Sequence, residues 1–191
     1  LQPVGRRTVV EGQTLAFEIT ADDPDGDPLH FSAGNLPDGA LLDAQTGSFE
    51  WTPAYDQSGR SQFTLVVSDG TGAVSERVTV DVSHVNRSPA FVSMPGLLGM
   101  EGIPLSFTLT ASDPDGDTTA YSVGGPLPEG AEFVNRTGVL HWTPAFEQAG
   151  NHTLSFVVRD AAGLTETMDV QVQILDVNRP ATLGRLSGHS G

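Results

Sequence analysis

The chain repeats itself, and that fact constrains its fold more than any other. Glu11-Gly12 recurs as Glu101-Gly102, and Asp23-Pro24-Asp25-Gly26-Asp27 recurs as Asp113-Pro114-Asp115-Gly116-Asp117, both at an offset of 90. One inserted residue later the offset is 91: Thr46-Gly47 matches Thr137-Gly138, and Trp51-Thr52-Pro53-Ala54-Tyr55 matches Trp142-Thr143-Pro144-Ala145-Phe146. Val85-Asn86-Arg87 then matches Val177-Asn178-Arg179 at 92. Self-similarity at a fixed period marks a repeat architecture. The sequence therefore divides into a first copy over 1–87, a second over 88–180, and a remainder, 181–191, that resembles the start of a truncated third copy or a disordered tail. Because the chain starts at Leu1 rather than Met, it reads as a piece of a longer array.

Within each copy the apolar residues alternate with polar ones, the period of a half-buried strand, and no helical stripe occurs. Leu15, Phe17 and Ile19 set the pattern, and Leu105, Phe107 and Leu109 repeat it. Phe63, Leu65 and Val67 correspond to Leu154, Phe156 and Val158; Val78, Val80 and Val82 correspond to Val170, Val172 and Ile174. Turn clusters such as Leu36-Pro37-Asp38-Gly39 and Asp69-Gly70-Thr71-Gly72 separate them. About seven short strands per copy predict an all-β protein of two tandem Greek-key β-sandwiches of the cadherin or immunoglobulin kind. Trp51 and Trp142, in alternation with Phe49 and Leu140, are assigned to the two cores rather than to sugar-stacking platforms.

Charge narrows the partners. The net formal charge is −15, and the nine basic residues are all Arg. Duplex nucleic acid and anionic membranes are poor partners for such a chain, because both need clustered bases. No apolar run approaches the roughly 18 residues of a membrane span, so direct membrane insertion is not expected. The absence of Lys excludes Schiff-base chemistry, and the absence of Cys excludes disulfides, thiolate metal sites and thiol nucleophiles.

The repeated acidic loop carries the chemistry. Asp23, Asp25 and Asp27 in the first copy, and Asp113, Asp115 and Asp117 in the second, place three carboxylates at alternate positions where they repel one another unless a cation intervenes. Ca²⁺ suits such a loop, because it takes six to eight oxygen ligands with tolerant geometry. The alternative reading is an ordinary Asp/Pro/Gly turn. The loop lacks the glutamate that an EF-hand requires, and no helices flank it, so an EF-hand is excluded.

These residues together give a resemblance. With Glu11 before the second strand, Ala-x-Asp-x-Asp after it, Leu-Pro-x-Gly, Thr-Gly-x-x-x-Trp-Thr-Pro and Val-Asn-Arg at its exit, each copy resembles a cadherin-like domain. The variety it resembles is that of the dystroglycan-type and bacterial putative-immunoglobulin repeats. Cadherins are extracellular tandem sandwiches that clamp Ca²⁺ at the junctions between successive domains. Carried onto this chain, the resemblance implies a junction drawing Glu11, Asp56 and Asn86 from the first copy and Asp113, Asp115 and Asp117 from the second. It assigns Glu101, Glu147, Asp176 and Asn178 to a junction with a following repeat, and Asp23, Asp25 and Asp27 to one with a preceding repeat. The corner lacks the family's second acid, and His84 and Arg87 stand where cadherins carry aspartates. Fewer charged ligands imply fewer ions or weaker binding, with a dissociation constant of roughly 10⁻⁴ to 10⁻³ M.

Other motifs carry less. The five histidines show neither metal-ligand spacing nor repetition, and no serine sits in a nucleophile elbow. Glycoside hydrolysis by the loop acids is disfavoured, since the acids share one tight loop with no aromatic cleft around it. Asn135-Arg136-Thr137 and Asn151-His152-Thr153 satisfy the glycosylation sequon, which would mean nothing in a bacterial protein. The expectation is a non-enzymatic, calcium-binding adhesive module of a secreted or surface repeat protein, with Ca²⁺ and neighbouring repeats of the same chain as partners. Homophilic contacts and surface glycans are the further partners considered. The alternatives are a carbohydrate-binding accessory module and a passive spacer in a large extracellular enzyme.

Overall fold

A computed structural model describes residues 1–180. The expectation for 181–191 lies outside the described residues. Two compact units are present, one over Leu1–Asn86 and one beginning at Arg87.

The first unit has seven strands: β1 (Arg6–Val10), β2 (Leu15–Glu18), β3 (His30–Gly34), β4 (Leu41–Leu42), β5 (Ser48–Trp51), β6 (Gly59–Ser68) and β7 (Ala73–Ser83). One sheet runs β1-β7-β6-β3 and the other β2-β5-β4. All pairs are antiparallel except β1 with β7, which run parallel from Arg6↔Thr79 to Val10↔Ser83.

The second unit has nine: β8 (Ala90–Phe91), β9 (Leu97–Met100), β10 (Leu105–Thr108), β11 (Ala111–Ser112), β12 (Ala120–Val123), β13 (Ala131–Val134), β14 (Val139–Trp142), β15 (Gly150–Arg159) and β16 (Thr165–Leu175). Its sheets, β9-β16-β15-β12 and β10-β14-β13, reproduce those of the first unit, and β9 again runs parallel to β16. The two extra strands are the two-residue pair β8–β11. The first unit makes the corresponding contact, Gln2 N–H to Thr20 O at 2.9 Å, beside Val92 N–H to Thr110 O at 2.8 Å, but there the pairing does not extend into a strand. Among the described residues there is no helix, and none is long and apolar enough to cross a membrane.

The alternation fixes which face is buried. Along β6 the buried residues are Phe63, Leu65 and Val67, and along β7 they are Val78, Val80 and Val82; β15 and β16 repeat this with Leu154, Phe156, Val158, Val170, Val172 and Ile174. Each such side chain contributes about 1.5–3 kcal/mol when fully buried. Phe49 stacks between Phe17 and Phe63, with centroids 4.6 and 5.1 Å apart. Trp51 and Trp142 are each 1% exposed, as core residues should be. A buried indole needs a partner for its N–H. Trp51 donates to Asp38 O at 3.1 Å, whereas Trp142 has no acceptor and sets its ring edge-on to His152.

Candidate functional site

The first cluster lies at the end of the first unit. The parallel β1–β7 pairing delivers Glu11 to the end of β7, where its N–H donates to Ser83 O at 3.0 Å. The following turn is tight: Gly12 adopts φ +74°, and a Cβ there would stand 2.8 Å from the Tyr55 hydroxyl. Glu11 is thereby held 2% exposed. Its Oε2 accepts the Val85 amide at 2.8 Å and faces His84 Nδ1 at 2.9 Å, while its Oε1 is buried without a well-formed hydrogen bond. Burial alone would push this carboxyl up, but the Val85 amide and His84, with a smaller contribution from the Ser58 amide, hold it below the ordinary range. Asn86 follows two residues after His84, and Asp56 lies exposed in the turn after Tyr55.

The second unit builds the corresponding end more completely. Glu101, 3% exposed, accepts the Glu147 and Ala149 amides on Oε1 at 2.7 and 3.0 Å, and the Val177 amide on Oε2 at 3.1 Å. The Val177 amide is the largest cause of its lowered pKa, opposed by burial and helped by Ala149. A shallow cavity of about 350 Å³ results, lined by Glu101, Glu147, Asp176 and Asn178 together with Phe146 and Arg179. All four residues assigned from sequence to this end therefore border one cavity. Arg179 lies over the Phe146 ring at 4.4 Å.

The acidic loops are hydrogen-bonded turns. Asp23 Oδ1 accepts the Asp25 and Asp27 amides at 2.9 and 3.1 Å, and Asp113 Oδ1 accepts those of Asp115 and Asp117 at 2.8 and 3.3 Å. The first aspartate of each loop is thus a turn former, and that much of the repeated spacing needs no metal. Asp25 and Asp27 are exposed. The second loop differs in two ways. Asp113 Oδ2 is buried without a partner. Asp115, whose side chain is 4% exposed, meets Arg87: Oδ2 accepts the Arg87 amide at 2.6 Å, and Oδ1 faces Nε and Nη2 at 2.8 and 2.7 Å. Arg87 Nη2 also donates to Pro114 O at 2.8 Å.

Each unit's acids, taken by themselves, fit a hard cation in part. Asp113 Oδ2 in the second unit is buried without a partner, and Glu11 Oε1 in the first is buried without a well-formed hydrogen bond; both have the chemistry Ca²⁺ takes. Asp115 does not, because a guanidinium already supplies its positive charge. Among the described residues no three His, Asp or Glu side chains converge as a metal cluster. Sequence reasoning passed over His84 and Arg87 as carboxylate partners. The only signal available was their placement where a cadherin would carry acids.

Residues 1–83 and 89–175 each match the family model described as "Putative Ig domain". The chain belongs to that family. Its members' sandwich is shared with cadherin repeats: human protocadherin-24 EC1-2 superposes with a TM-score of 0.55 at 18% identity, over 90% of this chain and 95% of that one. Among curated proteins, cadherin-related family member 1 of Xenopus laevis is 27% identical over 84% of this chain and 22% of its own length. Chitinase A of Pseudoalteromonas piscicida is 28% identical over 64% of this chain and 15% of its own. The chain thus spans less than a quarter of the length of these two curated relatives. The chain is thus a tandem pair of Ig-like repeats whose sandwich is shared with cadherin domains.

Proposed function

We propose that this pair of Ig-like repeats is a non-catalytic, surface or secreted module that binds Ca²⁺ through the carboxylates at its repeat ends, and that the bound ion stiffens the junction for cell or matrix adhesion. The observation that carries the reading is that each unit buries a carboxylate oxygen without a well-formed hydrogen bond, Glu11 Oε1 in the first and Asp113 Oδ2 in the second. A buried anionic oxygen with nothing to accept is costly, and a divalent cation removes that cost. Glu101, Glu147, Asp176 and Asn178 would supply oxygens at the far end of the second unit. Sharing of an ion between the copies rests on sequence order, in which the exit segment of one repeat runs directly into the next. Homophilic contact or contact with neighbouring repeats would follow from that stiffness. With Arg87 already neutralising Asp115, the junction would hold fewer ions than a cadherin that carries an aspartate there.

A second reading has support of its own. The identity with chitinase A suggests an accessory or spacer module within a glycan-acting enzyme, where calcium would matter for rigidity only.

Thermal unfolding of the whole chain in EDTA and in CaCl₂ separates these from a metal-free module. An ion that binds only the folded state stabilises it by about 2.7 kcal/mol at a hundredfold excess over its dissociation constant. A rise in midpoint that MgCl₂ does not reproduce is expected; identical midpoints in EDTA and about 10 mM CaCl₂ would remove calcium from the account.

A further inference from the structure

The first unit carries a concentration of arginine that its fold does not require. On the outward face of the β1-β7-β6-β3 sheet stand Arg6 from β1, Arg77 from β7 and Arg60 from β6. That is three of the nine basic residues of a chain whose net charge is −15, on three neighbouring strands. Neighbouring strands lie about 4.8 Å apart, so the guanidinium groups stand one to a strand across the sheet. Arg6 and Arg60 are 64% and 60% exposed, and Arg77 is exposed too.

Asp81 lies between two of them. It takes Arg6 through Nε and Arg60 through Nε at 3.3 Å. One carboxylate thus orients two guanidinium forks while using neither terminal nitrogen; with Glu76, whose carboxylate accepts the Val4 and Gly5 amides at the sheet's edge, the three arginines still outnumber the nearby acids by one. Beside it the surface is hollowed. A groove of about 320 Å³ is lined by Gly5, Arg6, Arg60, Gln62, Arg77 and Thr79, and a second of about 210 Å³ by Asn35, Gln62, Phe63, Thr64 and Arg77. Gln62 and Arg77 border both, so the two join across the sheet.

The second repeat serves as an internal control. Its ladder places Asn151 opposite Gln173 where the first unit has Arg60 opposite Asp81, and Asp169 opposite Ser155 where the first has Arg77 opposite Thr64. Gly96, just ahead of β9, corresponds to Arg6. The same sandwich therefore forms without any of the three arginines.

We propose that this face binds an acidic polysaccharide, one bearing sulfate or carboxylate groups on a hydroxyl-rich chain. Guanidinium forks match such anions with paired hydrogen bonds. The neutral groups between them, Gln62, Thr64, Thr79 and Asn35, both donate and accept, which suits sugar hydroxyls. The grooves expose mainly polar side chains, so they lack the aliphatic or aromatic socket that anchors a protein partner. The proposal gives a surface and a ligand class to the glycan-associated reading and does not depend on the calcium reading. Its test is therefore run in EDTA.

The probe is dextran sulfate, with neutral dextran and polyglutamate alongside, offered to the whole chain in affinity electrophoresis. Binding to dextran sulfate alone is expected at about 50 mM NaCl, fading as salt screens the contact. Arg60→Gln/Arg77→Gln should weaken it about tenfold or more, as loss of two charge-assisted contacts implies. Arg136→Gln/Arg159→Gln should leave it unchanged, and Asn151→Arg/Asp169→Arg should strengthen it. An unchanged near-ultraviolet dichroism spectrum shows that each variant is folded. No binding by the parent, or equal weakening by both arginine pairs, overturns the assignment to this face. Tighter binding to polyglutamate would put an acidic polypeptide in place of the glycan and overturn the ligand class.

Discussion

Arg87 shows how one residue can alter the chemistry of an inherited loop. Asp115 is buried, and both of its oxygens are met by Arg87, through the guanidinium and through the backbone amide. Removing one partner of a buried pair leaves the other desolvated, at a cost of about 1–3 kcal/mol. Arg87→Gln should therefore lower the denaturation midpoint of the second unit in EDTA. It should also increase the response of that unit to CaCl₂, because Asp115 then loses the guanidinium charge that competes with the ion. Unfolding followed in urea with and without calcium checks both effects. A variant with the parent's midpoint and calcium response would show that the pair matters little. Glu101 gives the pH dependence. Its folded pKa lies below the ordinary 4.5. Its contribution to stability is accordingly complete above that value and is lost as pH falls through the depressed folded pKa. Melting between pH 7 and pH 3 should show the second unit weakening below about pH 4.5, and Glu101→Gln should flatten that part of the curve while lowering stability at neutral pH. The side-chain partners of Glu11 and Asp115 were not legible in sequence. His84 lies 73 residues from Glu11, and Arg87 lies 28 from Asp115. Only the fold brings them together.

The strands were legible because burial imposes a period of two, and the tandem copies state that period twice. Phe63, Leu65 and Val67 could be assigned inward from alternation alone, and the structure buries them. Two-residue elements such as β8 and β11 carry too few residues to show any period. The basic face was hidden for a related reason. Arg6, Arg60 and Arg77 become neighbours only once β1 pairs with β7 and β7 with β6. The connecting turns make a sharper prediction. Gly47 adopts φ +71°, and a Cβ there would stand 2.8 Å from Ile19 O, whereas Gly26 has φ +80° with open space around it. Both positions resist a side chain through backbone strain of about 1–2 kcal/mol. Only Gly47 adds a clash with backbone that cannot move aside. Gly47→Ala should lower the melting temperature of the first unit clearly more than Gly26→Ala, and equal effects would mean that strain alone decides.

At the scale of the whole molecule, two separate hydrophobic cores carry one acidic sequence. The first contains Phe49, Trp51 and Phe63; the second contains Leu140, Trp142 and Phe156. The repeat made this division visible at once, since each copy brings its own Trp and its own set of alternating strands. The repeat ends were legible only as a pattern of acids. Sequence showed where carboxylates recur, and the structure distinguishes those that are satisfied from those that are not. Asp23 and Asp113 are turn formers through Oδ1, Asp115 is paired with Arg87, and Glu101 is met by three backbone amides. Glu11 Oε1 and Asp113 Oδ2 remain buried without a well-formed hydrogen bond, and on them the calcium account stands. Calorimetric titration of the EDTA-treated chain with CaCl₂, beside a Glu11→Gln/Asp113→Asn variant, tests that account most directly. The account predicts saturable binding with a dissociation constant of about 10⁻⁴ to 10⁻³ M in the parent, lost or much weakened in the variant. No binding up to about 10 mM, or parent-like binding in the variant, would contradict it.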